Sequence, residues 1–216
     1  MQAQHIERGD IGYPPVLIQR LGDAAQRTLY ALGDPGILGH RLVGLICSIR
    51  CPGSIIIKTF DLVRRLRDAG IVMVGGFHSP MEKDCLDLLL GGSRPVIVCP
   101  ARRLQNLKLG REARGALGQG RLLVLSCFGE EARRMTSAQA MIRNDLVAAL
   151  SSALIIPHAS RQGRTLTTVH RALGFGCPVF TFADEANSDL IAAGAEVLRN
   201  AQMTDWINSP SGSDES

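Results

Sequence analysis

Six short apolar runs punctuate the chain: LVGLIC (42–47), IVMVGG (71–76), PVIVCP (95–100), RLLVLSC (121–127), ALIIPHA (153–159) and PVFTFA (178–183). They are nearly continuous rather than alternating. A strand with one face in water alternates apolar and polar residues; a strand covered on both faces has no need to. The runs therefore predict buried, mainly parallel strands.

The segments between them carry a helical period. In IIIKTFDLVRRLRDAG, Ile56, Phe60 and Val63 fall on one face, Arg64, Arg65 and Arg67 fall largely on the other, and Gly70 supplies a stop. PMEKDCLDLLLGG opens with Pro80 at a first helical position and ends at Gly91. TSAQAMIRNDLVAALSS opens with Thr136 and Gln139 in capping-box spacing. TLTTVHRALGFG ends at Gly174 or Gly176. Strand and helix alternate throughout. The expected fold is α/β: a doubly wound, mostly parallel sheet with helices on both faces and right-handed crossovers.

Three regions follow from this pattern. Residues 1–40, containing PPVLIQRLGDAAQRTLYALGD, read as an N-terminal helical extension. Residues 41–200 read as the α/β domain, with a basic, glycine-punctuated loop and short helix at 101–120. Residues 201–216 are polar and read as a disordered tail.

Composition narrows the picture. Aromatics are only 4% of the 216 residues, which disfavours an all-β sandwich. The formal charge of +4 permits a polyanionic partner without demanding one. The N-terminus MQAQHIERGD is too polar for a signal peptide, and no apolar run approaches the roughly 20 residues that span a bilayer. The six cysteines are scattered, mostly in apolar runs, and read as reduced and buried. A cytoplasmic protein without membrane contact is expected.

Candidate chemistry lies at the strand ends. In open parallel sheets, ligands bind beyond the carboxyl ends of the strands, where helix N-termini present free N–H groups. The turns CSIRCPGS, GGFHSPMEK, SCFGEEARR and HASRQGRTL, together with MIRND, offer Ser48, Arg50, Gly75, Gly76, His78, Ser79, Arg143, Asn144, Gly163, Arg164 and Thr165. Arginines, hydroxyls and glycines are the groups that hold phosphate. Cys47 and Cys51 have the spacing of half a metal site, but no second ligand cluster follows, and an anion at this turn is the preferred reading. Neither a cofactor nor a paired nucleophile and base is indicated.

Other features keep two readings. His78 either donates to phosphate or caps the next helix. Phe77 either stacks a base or plugs the core. Glu82 is a catalytic acid or base, or an ordinary first-turn acid. The arginines and lysine at 102, 103, 108, 111 and 114 form a track for a nucleic-acid backbone or a solvated loop. His158 is a hydrogen-bonded rim residue or a ligand.

The ordered set of motifs resembles the DNA-processing protein A family (DprA or Smf), within the wider group of Rossmann-like folds shared with nucleotide-processing enzymes. The likeness covers roughly residues 12–198. GYPPVLIQRLGDAAQRTLYALGD resembles the family's lead-in, and VGLICSIRCPG its first strand and Val-Gly-Ser-Arg turn. GIVMVGGFHSPMEKDCLDLLLGGSRPVIVCP resembles the Ser-Gly-Leu-Ala-x-Gly-Ile-Asp region. IRNDLVAALSSALIIPHASRQGRTLTTVHRALGFGCPVFTF resembles the Arg-Asn-Arg helix through Ser-Gly-Ser, and NSDLIAAGAEVL the closing segment.

The resemblance implies a single-stranded DNA-binding protein of DNA uptake or recombination. It also implies a RecA-type recombinase as partner and a homodimer. Arg143 and Asn144 match the family's Arg-Asn; Gly75 and Gly76 match its glycine turn. Thr165 matches the second serine of Ser-Gly-Ser, and Arg50 lies one place beyond the family's arginine. Pro80, Met81 and Glu82 replace Gly-Ile-Asp, and Asp145 replaces the second arginine of Arg-Asn-Arg. A single-domain member without a following winged helix is expected. A sensor or hydrolase of a nucleotide-derived small molecule is the alternative.

Overall fold

The computed structural model describes residues 3–161 and 163–199. The tail expected to be disordered lies outside the described residues. The six apolar runs form β3 (Leu42–Leu45), β4 (Val72–Gly75), β5 (Val96–Val98), β6 (Leu122–Ser126), β7 (Ala153–Ile155) and β8 (Val179–Thr181). Each strand falls within its run. They pair in parallel, β6-β5-β4-β3-β7-β8, with a short β9 (Glu196–Val197) beyond β8.

The N-terminal extension is only partly helical. It holds β1 (Gln4–Glu7), α1 (Pro15–Leu21) and β2 (Thr28–Leu32). These two strands lengthen the sheet, with β2 antiparallel to β6 and β1 antiparallel to β2. The strand at TLYAL is hard to see because Leu and Ala favour helices intrinsically. Its alternation becomes plain only when β6 is beside it: Leu29 and Ala31 are buried while Thr28, Tyr30 and Leu32 are half-buried.

Two helical layers cover the sheet. α2 (Gly53–Asp68), α3 (Pro80–Leu90) and α4 (Arg111–Gly118) pack on one face, over a core that includes Leu62, Cys85 and Leu117. α1, α5 (Ser137–Leu150) and α6 (Arg164–Gly174) cover the other, around Leu17, Leu146 and Val169. A short α7 (Ser188–Ala192) follows β8. On α2 the buried stripe is Ile55, Thr59, Leu62, Val63 and Leu66, one residue round from the expected face. Thr59 can be buried because its hydroxyl donates to the Ile55 carbonyl at 2.7 Å, which meets its polar requirement locally.

The connections create a switch point. From β3 the chain winds outward through β4, β5 and β6; α5 then crosses back, and β7 starts the opposite wing on the other side of β3. Loops leaving β3 and β7 therefore diverge and leave a crevice at the carboxyl end of the sheet, where such folds hold ligands.

Candidate functional site

A crevice of about 380 Å³ occupies that switch point. Its walls are the loop after β3, the start of α3, the middle of α5 and the start of α6. The first turn of α6 begins at Arg164 on this lining. Its N–H groups and the positive end of its helix dipole suit an anion.

Glu82 ties the walls together. One carboxylate oxygen accepts from the Cys47 N–H at 3.0 Å. The other accepts from His78 N–H at 3.1 Å and Ser79 N–H at 2.7 Å. The Ser79 hydroxyl accepts from the Glu82 N–H, which completes a capping box. A second knot joins β3 to α6. The Ser48 hydroxyl oxygen accepts from Ser160 N–H at 2.9 Å and lies 3.0 Å from the Thr165 hydroxyl.

Arg143 is the buried cation of the crevice, only 6% exposed. Its Nε donates to Asn144 Oδ1 at 2.8 Å and one Nη to the Cys99 carbonyl at 3.3 Å. Burial lowers its pKa from the arginine value, and the negative charge of Glu82 opposes that shift. An arginine remains protonated under such a shift. Asn144 in turn donates to the Thr168 hydroxyl at 3.2 Å. Asp145, the acid standing where the family has arginine, is held by two hydrogen bonds from Arg171 at 2.8 and 2.6 Å. Its charge is therefore matched locally.

Of the eleven residues singled out from sequence, nine line this crevice: Ser48, Arg50, His78, Ser79, Arg143, Asn144, Gly163, Arg164 and Thr165. Arg50, His78 and Arg164 are exposed there, with Arg164 donating to the Ser137 hydroxyl. Gly76 belongs to an adjoining hollow of about 280 Å³, which shares His78 and Arg143 with the first. Gly75 lines neither hollow. It is buried at the end of β4, where a Cβ would stand 2.9 Å from the Leu45 carbonyl oxygen, so its role is close packing.

Other readings resolve in the same region. Phe77 is a buried plug with φ of 45°, and its ring packs beside Gly75. His158 Nδ1 lies 3.0 Å from Asn187 Oδ1, as expected of a hydrogen-bonded rim residue. The Cys47 thiol donates to the His158 carbonyl at 3.6 Å; its interaction with Cys51, with burial, raises the Cys47 thiol, and the same interaction lowers that of Cys51. No group of three metal-ligating side chains occurs among the described residues. Within the basic stretch, Arg102 joins Arg143 at the adjoining hollow, whereas Arg111 pairs with Glu112 on α4. Ser160 had no sequence signal. The clamp made by Glu82 did have one, the Ser79-to-Glu82 spacing.

Gly76 matters because the Arg143 guanidinium lies against it. A Cβ built there would be 1.4 Å from an Nη atom. Gly76→Ala is therefore expected to push the guanidinium out of place and weaken anion binding about tenfold or more. One lost charge-assisted hydrogen bond is worth roughly 1.5–3 kcal/mol. A titration with a short oligonucleotide checks this, with circular dichroism confirming the fold. Unchanged affinity would remove Arg143 from the site.

The fold is that of a Rossmann-like α/β protein with an arginine-lined crevice at its switch point. The chain belongs to the DNA recombination-mediator protein A family, whose model matches residues 4–209. The family confers a DNA-processing role. DNA processing protein A from Helicobacter pylori, solved in a study of its single-stranded DNA binding mode, is similar with TM-score 0.77 and 22% identity, over 96% of this chain and 95% of that one. DprA from Streptococcus pneumoniae is similar with TM-score 0.75 and 22% identity, over 94% of this chain and 73% of that one. A molybdenum cofactor binding protein from Rippkaea orientalis shares the fold more distantly, with TM-score 0.54 and 12% identity over 78% of this chain and 98% of that one. No curated protein sequence matches the chain. No helix among the described residues is long and apolar enough to cross a membrane.

Proposed function

We propose that the crevice binds the phosphodiester backbone of single-stranded DNA. The observation carrying this reading is the convergence on one opening of the buried Arg143, the exposed Arg50 and Arg164, and the start of α6. A fixed guanidinium needs little further ordering to meet a phosphate, so most of its hydrogen-bond energy is retained on binding. The adjoining hollow shares His78 and Arg143 with the crevice, which supports a path for a chain along both. Its one buried carboxylate, Glu82, is occupied by three backbone N–H groups, which favours binding over acid–base chemistry. With the family membership, this points to handling of single strands in DNA uptake or recombination, beside a RecA-type recombinase, by a cytoplasmic homodimer.

The expected result is salt-dependent binding. For single strands, log K falls linearly with log salt by about 0.7 per neutralised phosphate. Arg50→Ala should flatten the slope by about 0.7. Arg111→Ala, on the ion-paired arginine of α4, should leave it unchanged. Fluorescence anisotropy titrations across a salt series make the measurement, with a mononucleotide as comparison. Equal slopes for wild type and Arg50→Ala, or binding of the mononucleotide as tight as that of the oligonucleotide, would refute the reading.

A further inference from the structure

A third hollow, of about 510 Å³, lies at the far end of the same sheet edge. It is bounded by β1 and β2, by the loop 103–107 and by the turn after β6. It shares the lining residue Leu107 with the second hollow, which shares His78 and Arg143 with the crevice. The three form a row across the carboxyl end of the sheet, from β7 and β3 to β2. Four strand intervals separate β3 from β2, about 19 Å at the usual spacing.

The third hollow differs chemically from the crevice. His5 and Tyr30 meet there edge to face, ring centroids 4.9 Å apart and planes at 78°. Both line the hollow, and His5 is exposed. Gln105, Asn106 and Glu130 stand exposed on its rim. The one arginine lining it, Arg103, donates to the Glu130 carbonyl at 3.0 Å. Glu130 and Arg103 balance each other in charge, so the hollow lacks the cationic excess of the crevice. Carboxylate and amide oxygens accept from an exocyclic amine, and an aromatic wall accepts a flat ring.

We propose that this hollow is a nucleobase subsite for an amino-bearing base, and that it belongs to the same strand whose phosphate sits in the crevice. The proposal rests on the phosphodiester reading above, because continuity with the crevice identifies the ligand. The strand then runs across the sheet, backbone at β3 and β7, a base against Tyr30. The N-terminal strands, beyond their part in the core, supply the far wall of the binding surface.

The test uses the full chain with an oligodeoxycytidine octamer and a deoxycytidine dinucleotide. Tyr30→Leu, which keeps apolar packing on β2, and His5→Ala should each weaken the octamer about tenfold, the size of one lost base stack. Neither should change dinucleotide binding. Octamer affinity unchanged in both variants, while Arg143→Met still loses it, overturns the subsite and leaves the crevice reading standing. No binding of either oligonucleotide by the wild type overturns both. An octathymidylate that binds as tightly as the octacytidylate overturns the amino-bearing assignment. Should Tyr30→Leu not fold, the wild type still decides: ultraviolet cross-linking of an octamer carrying 5-iodocytosine should label the peptide containing Tyr30 or that containing residues 103–107. Labels confined to other peptides overturn the proposal.

Discussion

Replacing Arg143 by methionine is expected to weaken single-stranded DNA binding by roughly 30- to 150-fold, the loss of about 2–3 kcal/mol carried by charge-assisted hydrogen bonds to a phosphate. The fold has already met the cost of desolvating this guanidinium. Two hydrogen bonds, to Asn144 and to the Cys99 carbonyl, fix its plane. Methionine is close in length and apolar, so it fills the space of the side chain. It leaves Asn144 Oδ1 and the Cys99 carbonyl without this donor and removes the positive charge facing Glu82, so stability should also fall, by roughly 1–3 kcal/mol. Affinity measured well below the melting temperature separates the two roles. Arg143→Lys should recover only part of the binding, because an ammonium cannot offer the planar fork. Paired anisotropy titrations and thermal melts make the comparison. Wild-type affinity in Arg143→Met would mean that the buried cation serves the fold alone.

The second large effect falls on stability. Glu82→Ala should cost roughly 3–5 kcal/mol, a drop of about 10 °C in Tm for a domain of this size. Three N–H groups, from Cys47, His78 and Ser79, lose their acceptor at once. Arg143 loses a nearby negative charge in the same step. Each orphaned buried donor costs about 1–3 kcal/mol. Glu82→Gln keeps an acceptor oxygen and should fall between alanine and wild type. The loops after β3 and β4 are joined only through this side chain among the hydrogen bonds above, so DNA affinity should fall with stability. Thermal melts by circular dichroism decide it. A change under 1 kcal/mol would show that the clamp is dispensable.

Much of the architecture was legible because it depends on short stretches. The inner strands announce themselves as unbroken apolar runs, since two helical layers leave them no wet face. Pro80 and the Thr136–Gln139 pair mark helix starts by chemistry confined to one turn, and both stand where expected. The N-terminal strands were not legible. The pairing of β2 with β6 joins residues some ninety positions apart, such as Tyr30 and Ser126, and nothing local to TLYAL records it.

The site shows the same division. Residue types at the strand ends identified most of the crevice lining, because loops after β3 and β7 must flank the switch point. The sequence did not distinguish Gly75 from Gly76. Which of two adjacent glycines faces the opening depends on the pleat of β4 and on where Arg143 lies across it. Nor did it reveal that Asp145 is neutralised by Arg171, a partner one helix away. The hollow at Tyr30 escaped notice for a related reason. Its walls come from four separate segments of chain, at residues 3–5, 30–32, 103–107 and 128–130, and meet only once the sheet is assembled.

The central claim is that one crevice, built where β3 and β7 part, holds a phosphodiester. A crystal structure of the protein with a short single-stranded oligonucleotide tests it most directly. A backbone phosphate within hydrogen-bond reach of the Arg143 guanidinium, with Arg50 alongside, is the predicted result. An ordered oligonucleotide bound elsewhere, with the Arg143 fork unoccupied, would contradict it.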